Sequence, residues 1–417
     1  MRLAVELYGT SIATLEGESR SYDLIATESG LRRFGANSTV LSVAIPLTPK
    51  LRRDQAPRRR NWFAELLPEG DQYDYLLAQA GLRRGDTLAF LARYGRDVAG
   101  ALQIWDLDDP TEPKTPAVRQ VTPEQIRALL EDPIGSPLAN DPRSGRSSLG
   151  GVQPKIVLVR TSDGWAQALG GHPTTHILKP RLEGSKATVI FDEEYGSRIA
   201  RRLGLADFAT SIEKFDGLPA IVIERYDRVD GDRVHQEDFS QVLGASGNQK
   251  YQEYGGVVSL RRIADILKRS TPKSELTRLA QLVTLAVGIG NLDLHTKNLG
   301  LLHPTDDDVR LAPAYDVVPQ AHLSQDGRLA LAVNRKYRHA DLTREDLLAE
   351  FEGWGLKRAV ELVDETLTDL RATVAQETPL DDAFPALQEQ LLAFVDNLLH
   401  DKPIGAAEST ASDHSSQ

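Results

Sequence analysis

The chain contains no cysteine among its 417 residues. That absence excludes disulfides, thiolate nucleophiles and cysteine-bound zinc, and it fits a reducing compartment. Any catalysis must use oxygen and nitrogen groups. No apolar run approaches the ~20 residues of a membrane span, and Met1 to Glu6 lack the apolar core of a signal peptide. A cytoplasmic location, with no membrane as partner, is therefore the expectation. Basic residues are outnumbered, with 49 Lys and Arg against 60 Asp and Glu, a formal charge of -11. Nucleic acid is a poor main ligand for such a chain, because that binding is driven by lysines and arginines neutralising phosphates. The apolar, charged and aromatic fractions are those of a globular protein, and the length accommodates two or three domains.

Residues 1–105 alternate short β-like runs with polar turns, among them Leu3 to Gly9 and Val40 to Pro46, then turn helical around 74–92. This predicts a small α+β domain. Three prolines in the acidic stretch Asp106 to Pro116 remove donors and restrict their neighbours, so 106–122 reads as a linker. Beyond it the pattern predicts a short helix near 123–131, a Gly/Ser/Arg loop at 141–151, and strands ending at Lys179 and at Asp227. Asp230-Gly231 is a hairpin signal. Further on, Thr271-Pro272 suits a helix N-cap and first turn, with Leu276, Leu279, Leu282 and Ala286 keeping one face apolar up to Gly290. A second domain would span 123–400, and the small polar residues of 401–417 predict a disordered tail.

The helix ending at Gly290 would deliver the run Gly290-Asn291-Leu292-Asp293-Leu294-His295-Thr296-Lys297-Asn298, followed after a short break by Ala314-Tyr315-Asp316. An Asp that accepts a substrate hydroxyl proton can share its loop with an Asn that reaches a metal; Asp293 and Asn298 have the spacing found in kinase catalytic loops. Asp316 is the candidate to hold Mg²⁺ against phosphates, since a hard cation prefers oxygen ligands. Upstream, Gly150 and Gly151 precede the run Ile156 to Val159, where glycines let backbone N–H groups approach a triphosphate. Lys179 ends an apolar run and could reach phosphates, with Glu193 or Glu194 orienting it. Glu224-Arg225-Tyr226 closes another apolar run, where a hinge would meet an adenine edge. His172 and His176 flank Pro173 and two threonines, which favours extended chain over a helical metal pair. Arg52, Arg53 and Arg58 to Arg60 read as a solvated basic surface.

Taken in order, these residues resemble the HipA family of bacterial serine/threonine kinases, the toxins of HipBA-type toxin–antitoxin systems. Phe63 to Gly70 and Tyr94 to Ala101 look like that family's N-terminal domain. Ser148 to Lys155, Thr174 to Pro180, Glu224 to Arg228, His235 to Phe239, Gly290 to Asn298 and Pro313 to Asp316 look like successive motifs of its kinase domain. The resemblance implies an α+β, two-lobed kinase fold with a mostly helical C-terminal lobe. It implies Asp293 as catalytic base, Asn298 and Asp316 as Mg²⁺ ligands, and Lys179 on the phosphates of ATP. Gly150, Gly151, Val152, Gln153 and Lys155 would cover the nucleotide, Glu224, Arg225 and Tyr226 would form the hinge, and His295, Lys297 and Tyr315 would lie beside it. Ser148 falls where members autophosphorylate and are silenced; by local chemistry Ser147 competes equally. Family members act on translation components such as an aminoacyl-tRNA synthetase, and a small helix-turn-helix antitoxin holds them and makes most of the DNA contact. Two rival readings are a small-molecule phosphotransferase of the aminoglycoside-kinase type and a catalytically silent corepressor scaffold. The Ser148 loop and the Phe63 to Gly70 motif count against the first, and the intact Asp293, Asn298, Asp316 and Lys179 count against the second.

Overall fold

A computed structural model of the chain describes residues 1–140, 147–151, 153–305, 308–323 and 326–406. Val152, Arg143 and Arg146 of the glycine loop, and 407–417 of the expected tail, lie outside the described residues.

The N-terminal domain comprises β1 (Arg2–Leu7), β2 (Thr10–Glu18), β3 (Ser21–Ala26), α1 (Glu28–Phe34), α2 (Ala56–Ala64), α3 (Gly70–Ala80), α4 (Thr87–Tyr94) and β4 (Gln103–Asp106). Its antiparallel sheet runs β3-β2-β1-β4. Leu3, Val5 and Leu7 share the core with Trp62, Phe63 and Phe90 at the period-two spacing of one strand face, and Ala4 on the other face is buried as well. Val40 to Pro46, read from sequence as a strand, is instead a loop. Its Ser42 Oγ accepts the Ala44 N–H at 2.9 Å and donates to Glu237 Oε2 at 2.5 Å, a local alternative to a ladder. The expected helix over 74–92 is two helices, because Gly81 ends α3 in the left-handed conformation.

A six-stranded antiparallel sheet follows, built from β5 (Ala117–Val121), α5 (Pro123–Glu131), β6 (Ile156–Thr161), β7 (Gly164–Leu169), β8 (His176–Pro180), α6 (Val189–Arg202), β9 (Thr210–Phe215) and β10 (Leu218–Glu224). Strand order is β5-β7-β6-β8-β10-β9. The linker expectation for 106–122 is too long. Residues 117–121 pair with β7, since the prolines stop at Pro116 and Thr122 then closes a capping box with Gln125 at the start of α5.

The third part contains β11 (Arg228–Val229), β12 (Asp232–Arg233), β13 (His235–Asp238), α7 (Phe239–Leu243), α8 (Leu260–Ser270), α9 (Ser274–Ile289), β14 (Gly300–Thr305), β15 (Asp308–Leu311), β16 (Arg328–Val333), β17 (Lys336–Arg338), α10 (Arg344–Gly353), α11 (Ala359–Gln376) and α12 (Leu387–Leu399). Asp230 and Gly231, both at positive φ, make the expected hairpin between β11 and β12. Central to this lobe is α9, about 24 Å long at 1.5 Å per residue. Leu279, Leu282, Val283, Ala286 and Ile289 are buried in the same core as Leu367, Leu370 and Val395 of the helices packed on it. Burying each such side chain contributes roughly 1.5–3 kcal/mol. Thr271 is not the N-cap of α9: its N–H and Oγ1 both bond back to Leu267 O, which terminates α8 and delays α9 to Ser274. The start of the expected tail is instead packed on the domain, since Ile404 is buried and its N–H bonds Leu342 O at 2.9 Å. Among the described residues no helix is long and apolar enough to cross a membrane.

The N-terminal domain is joined to the rest by a buried carboxylate. Glu237 of β13 accepts from Ser42 Oγ, Val43 N at 2.9 Å and Trp62 Nε1 at 2.8 Å, and faces His303 Nε2 at 3.1 Å. A buried charge is tolerable only when its lone pairs are occupied, as here.

Candidate active site

Helix α9 ends at Gly290, whose φ of 67° is left-handed. A Cβ there would lie 2.8 Å from Ala321 Cβ and 3.2 Å from Phe394, so glycine alone lets the chain turn sharply into Asn291 to Asn298. The turn is fixed from within. Asn291 Oδ1 accepts the Asp293 N–H at 3.3 Å, Asn298 Nδ2 donates to Asp293 O at 2.9 Å, and Thr296 Oγ1 and Ser240 Oγ are 2.8 Å apart. The loop borders a cavity of about 480 Å³.

Lys179 of β8 reaches into that cavity and donates to Glu193 Oε1 and Asp316 Oδ1, both at 2.7 Å. Of the two glutamates left open by the sequence, Glu193 is the partner; Glu194 bonds Arg198 Nη2 at 3.0 Å instead. Burial opposes ionisation of Asp316, but the Lys179 ammonium outweighs it and holds the carboxyl well below the usual range. Burial would also discharge Lys179, and Asp316 and Glu193 reverse that, keeping it protonated. Asp293 moves the other way. Burial, then the negative charge of Asp316, pushes its pKa up to about 6, close to the value a general base needs at neutral pH. His295, pushed down to about 3 mainly by burial, is neutral.

Gly151 sits at φ 102°, and a Cβ there would fall 2.4 Å from Lys155 Nζ. The Lys155 ammonium folds beneath the loop and donates to Gly150 O at 2.6 Å. Burial, and then the neighbouring charge of Lys179, brings it down to about 8. Ser148 is fully buried, with Oγ donating to Leu66 O at 3.1 Å. On the far wall Tyr226 and Tyr315 stack at 5.4 Å between centroids.

Gly150, Gly151, Gln153, Lys155, Lys179, Glu224, Arg225, Tyr226, Asp293, His295, Lys297, Asn298, Tyr315 and Asp316 all border this one cavity. Three of their charged groups are already engaged by neighbouring protein groups. Arg225 sends its guanidinium to Asp227 and Thr174, and Lys297 donates to Glu65 Oε2 at 2.9 Å and Asp238 Oδ2 at 3.1 Å. Glu224 likewise accepts the Ala209 N–H at 3.1 Å. The sequence reading missed Glu65, Glu69 and Lys250. Glu65 and Lys250 line the cavity with Asp293, and Glu69 Oε2 accepts from Lys250 Nζ at 2.7 Å. The only signal for them was two acids in the Phe63 to Gly70 motif, far from the catalytic loop in sequence.

Asn298, with its amide nitrogen turned to Asp293 O, keeps Oδ1 as its acceptor, and Asp316 supplies a carboxylate that stays ionised. Among the described residues no group of three or more His, Asp or Glu is placed to hold a metal; Asn298 and Asp316 would offer one amide oxygen and one carboxylate. That set fits Mg²⁺, which binds through one or two protein oxygens and takes the rest from phosphates and water.

Two family profiles match the chain, the HipA N-terminal domain over residues 3–105 and the HipA-like C-terminal domain over 147–377. The chain belongs to the HipA family. A provisionally named kinase of Sinorhizobium fredii is 31% identical over 82% of this chain and 84% of its own length. The serine/threonine-protein kinase toxin HipA of Shewanella oneidensis is 28% identical over 75% of this chain and 76% of its own. HipA from Shewanella oneidensis, solved in complex with HipB and its operator DNA, superposes with a TM-score of 0.79 at 25% identity, covering 95% of this chain and 99% of that one. The HipA kinase fold, α+β with two lobes, is thus the fold of this chain, and its enzyme class is protein serine/threonine kinase.

Proposed function

We propose that the chain transfers the γ-phosphoryl group of ATP to a serine or threonine hydroxyl of a protein, with Mg²⁺ bound by Asn298 and Asp316. The observation that carries this is the bonded series Glu193, Lys179, Asp316 facing Asp293 across one cavity. Asp293 takes the hydroxyl proton, a role suited to a carboxylate with a pKa near 6. Lys179, oriented by Glu193, meets the phosphates, and Lys155 adds a second cation from beneath the glycine loop. Tyr226 and Tyr315 offer stacked apolar faces to the adenine. Mg²⁺, when bound, would neutralise developing charge on the phosphoryl oxygens. The protein's part is positioning and charge, without a covalent intermediate.

A translation-related substrate such as an aminoacyl-tRNA synthetase is proposed on family resemblance, and a small helix-turn-helix antitoxin that makes most of the DNA contact on the Shewanella complex with HipB. Ser148 is proposed as the autophosphorylation site that silences the enzyme. Its hydroxyl is fully buried against Leu66 O, a seat that a phosphate of nearly two charges would have to shed its hydration to enter, so a modified loop would stay out. Peptide mass analysis of dephosphorylated protein incubated with Mg-ATP tests this. Phosphate on Ser148, absent from Ser148→Ala, is expected; phosphate confined to Ser147, or to neither, overturns it.

A further inference from the structure

We infer that Asp97, in the N-terminal domain, is a positioning residue that tethers the loop 147–151 in its seat over the cavity and ties that loop to the run 225–228. The inference deepens the kinase reading and rests on it for the purpose of the loop, though not for the existence of the tether.

Asp97 is 1% exposed and does not line the cavity itself. Its backbone forms a parallel bridge with Ser147, and its carbonyl accepts the Ser148 N–H at 2.9 Å. Its Oδ2 accepts from Ser147 Oγ at 3.2 Å and from Thr174 Oγ1 at 2.7 Å. Its Oδ1 accepts from Arg228 Nη2 at 3.0 Å and lies 3.5 Å from Arg233. The next residues continue the graft: Val98 O takes Arg225 Nη2 at 3.1 Å, and Gly100 N donates to Asp227 Oδ2 at 2.7 Å.

Three walls of the cavity converge on this one side chain: the glycine loop, Thr174 at the approach to the strand bearing Lys179, and the run after β10 that carries Tyr226. The two sequence motifs Tyr94 to Ala101 and Glu224 to Arg228, with Asp97 and Arg228 131 residues apart and in no shared element, form one ionic joint. Burial alone would neutralise Asp97, but Arg225, Arg228 and Arg233 hold its carboxyl below the usual range. The tether is therefore an ion pair and not a neutral hydrogen bond. Among the described residues the loop is also held by Leu66 O, again from the N-terminal domain, by Asn140, and by Lys155 Nζ on Gly150 O.

Hydrogen exchange on the full-length, nucleotide-free protein, paired with ATP affinity, tests the inference. Ser147→Ala removes one arm and leaves the buried ionic joint intact. Loss of one such hydrogen bond is expected to speed exchange over 147–151 about fivefold, with strands β6 and β8 unchanged and protection restored in Ser147→Thr. Asp97→Asn should loosen 147–151 and the Thr174 region together. Unchanged loop exchange in Ser147→Ala overturns the tether. So does an Asp97→Asn protein that melts lower with no preferential loosening of the loop, since Asp97 would then be structural only. Faster loop exchange with ATP affinity unmoved upholds the tether and overturns the assignment of this loop to the nucleotide. Faster exchange with ATP binding weakened about fivefold upholds both.

Discussion

Asp293 can serve as base only when ionised, and a pKa of about 6 places that ionisation inside the accessible pH range. The sign follows directly. Burial and the charge of Asp316 raise the pKa, so activity is full above it and is lost as pH falls through 6. Roughly nine-tenths of the enzyme carries an ionised base at pH 7 and about one-tenth at pH 5, so kcat/KM for phosphoryl transfer should fall close to tenfold between them. At the other end Lys155, brought down to about 8, loses its charge as pH rises through that value. The profile should therefore be bell-shaped. Lys250 stabilises the ionised form of Asp293, whereas Glu69, its partner at 2.7 Å, opposes it. Lys250→Met removes the helpful charge and leaves the harmful one, so the acid limb should move to higher pH, with greater loss at pH 6 than at pH 7.5. The assay is initial-rate phosphate transfer from Mg-ATP to a protein acceptor across pH 5–9, in buffers of constant ionic strength. A flat profile from pH 5 to 7, or an acid limb that stays put in Lys250→Met, would refute the account of how this carboxylate is tuned.

Glu193→Gln should lower kcat/KM for ATP turnover by about 10²-fold, because Lys179 loses the partner that orients it, while Glu194→Gln, paired outward with Arg198, should change it less than about twofold; steady-state kinetics of the two variants decides. Gly290→Ala combines a left-handed φ with a 2.8 Å approach to Ala321, so denaturant unfolding should show a loss of at least about 1–2 kcal/mol.

That these residues would meet in one candidate site was legible because the chemistry they suit sets its own spacing. Asp293 and Asn298 share a tight turn held by backbone and amide bonds, and Asp316 follows one strand pair later, so the sequence interval reports the geometry. Lys179 was legible as the polar end of an apolar strand. The choice between Glu193 and Glu194 was not, since both lie on α6 and only the packing of that helix decides which face turns to β8. Val40 to Pro46 has strand composition, yet its apolar residues fill the N-terminal core while its polar groups wrap Glu237 from β13, a contact across 194 residues that no local pattern carries. Arg225 has the sequence position of a hinge residue and borders the cavity, but its guanidinium serves Asp227 and Thr174. Glu65, Glu69 and Lys250 were missed for the same reason: each acquires its role only when the N-terminal domain docks on the catalytic loop.

The central claim is that Asp293 accepts the proton while other groups bind the nucleotide. Single-turnover transfer from γ-labelled Mg-ATP to a protein acceptor, with ATP affinity measured on the same preparations of wild type and Asp293→Asn, tests it most directly. The account predicts that transfer falls by at least about 10²-fold in the variant while ATP affinity stays within a few-fold of wild type. Transfer at the wild-type rate by Asp293→Asn would contradict it.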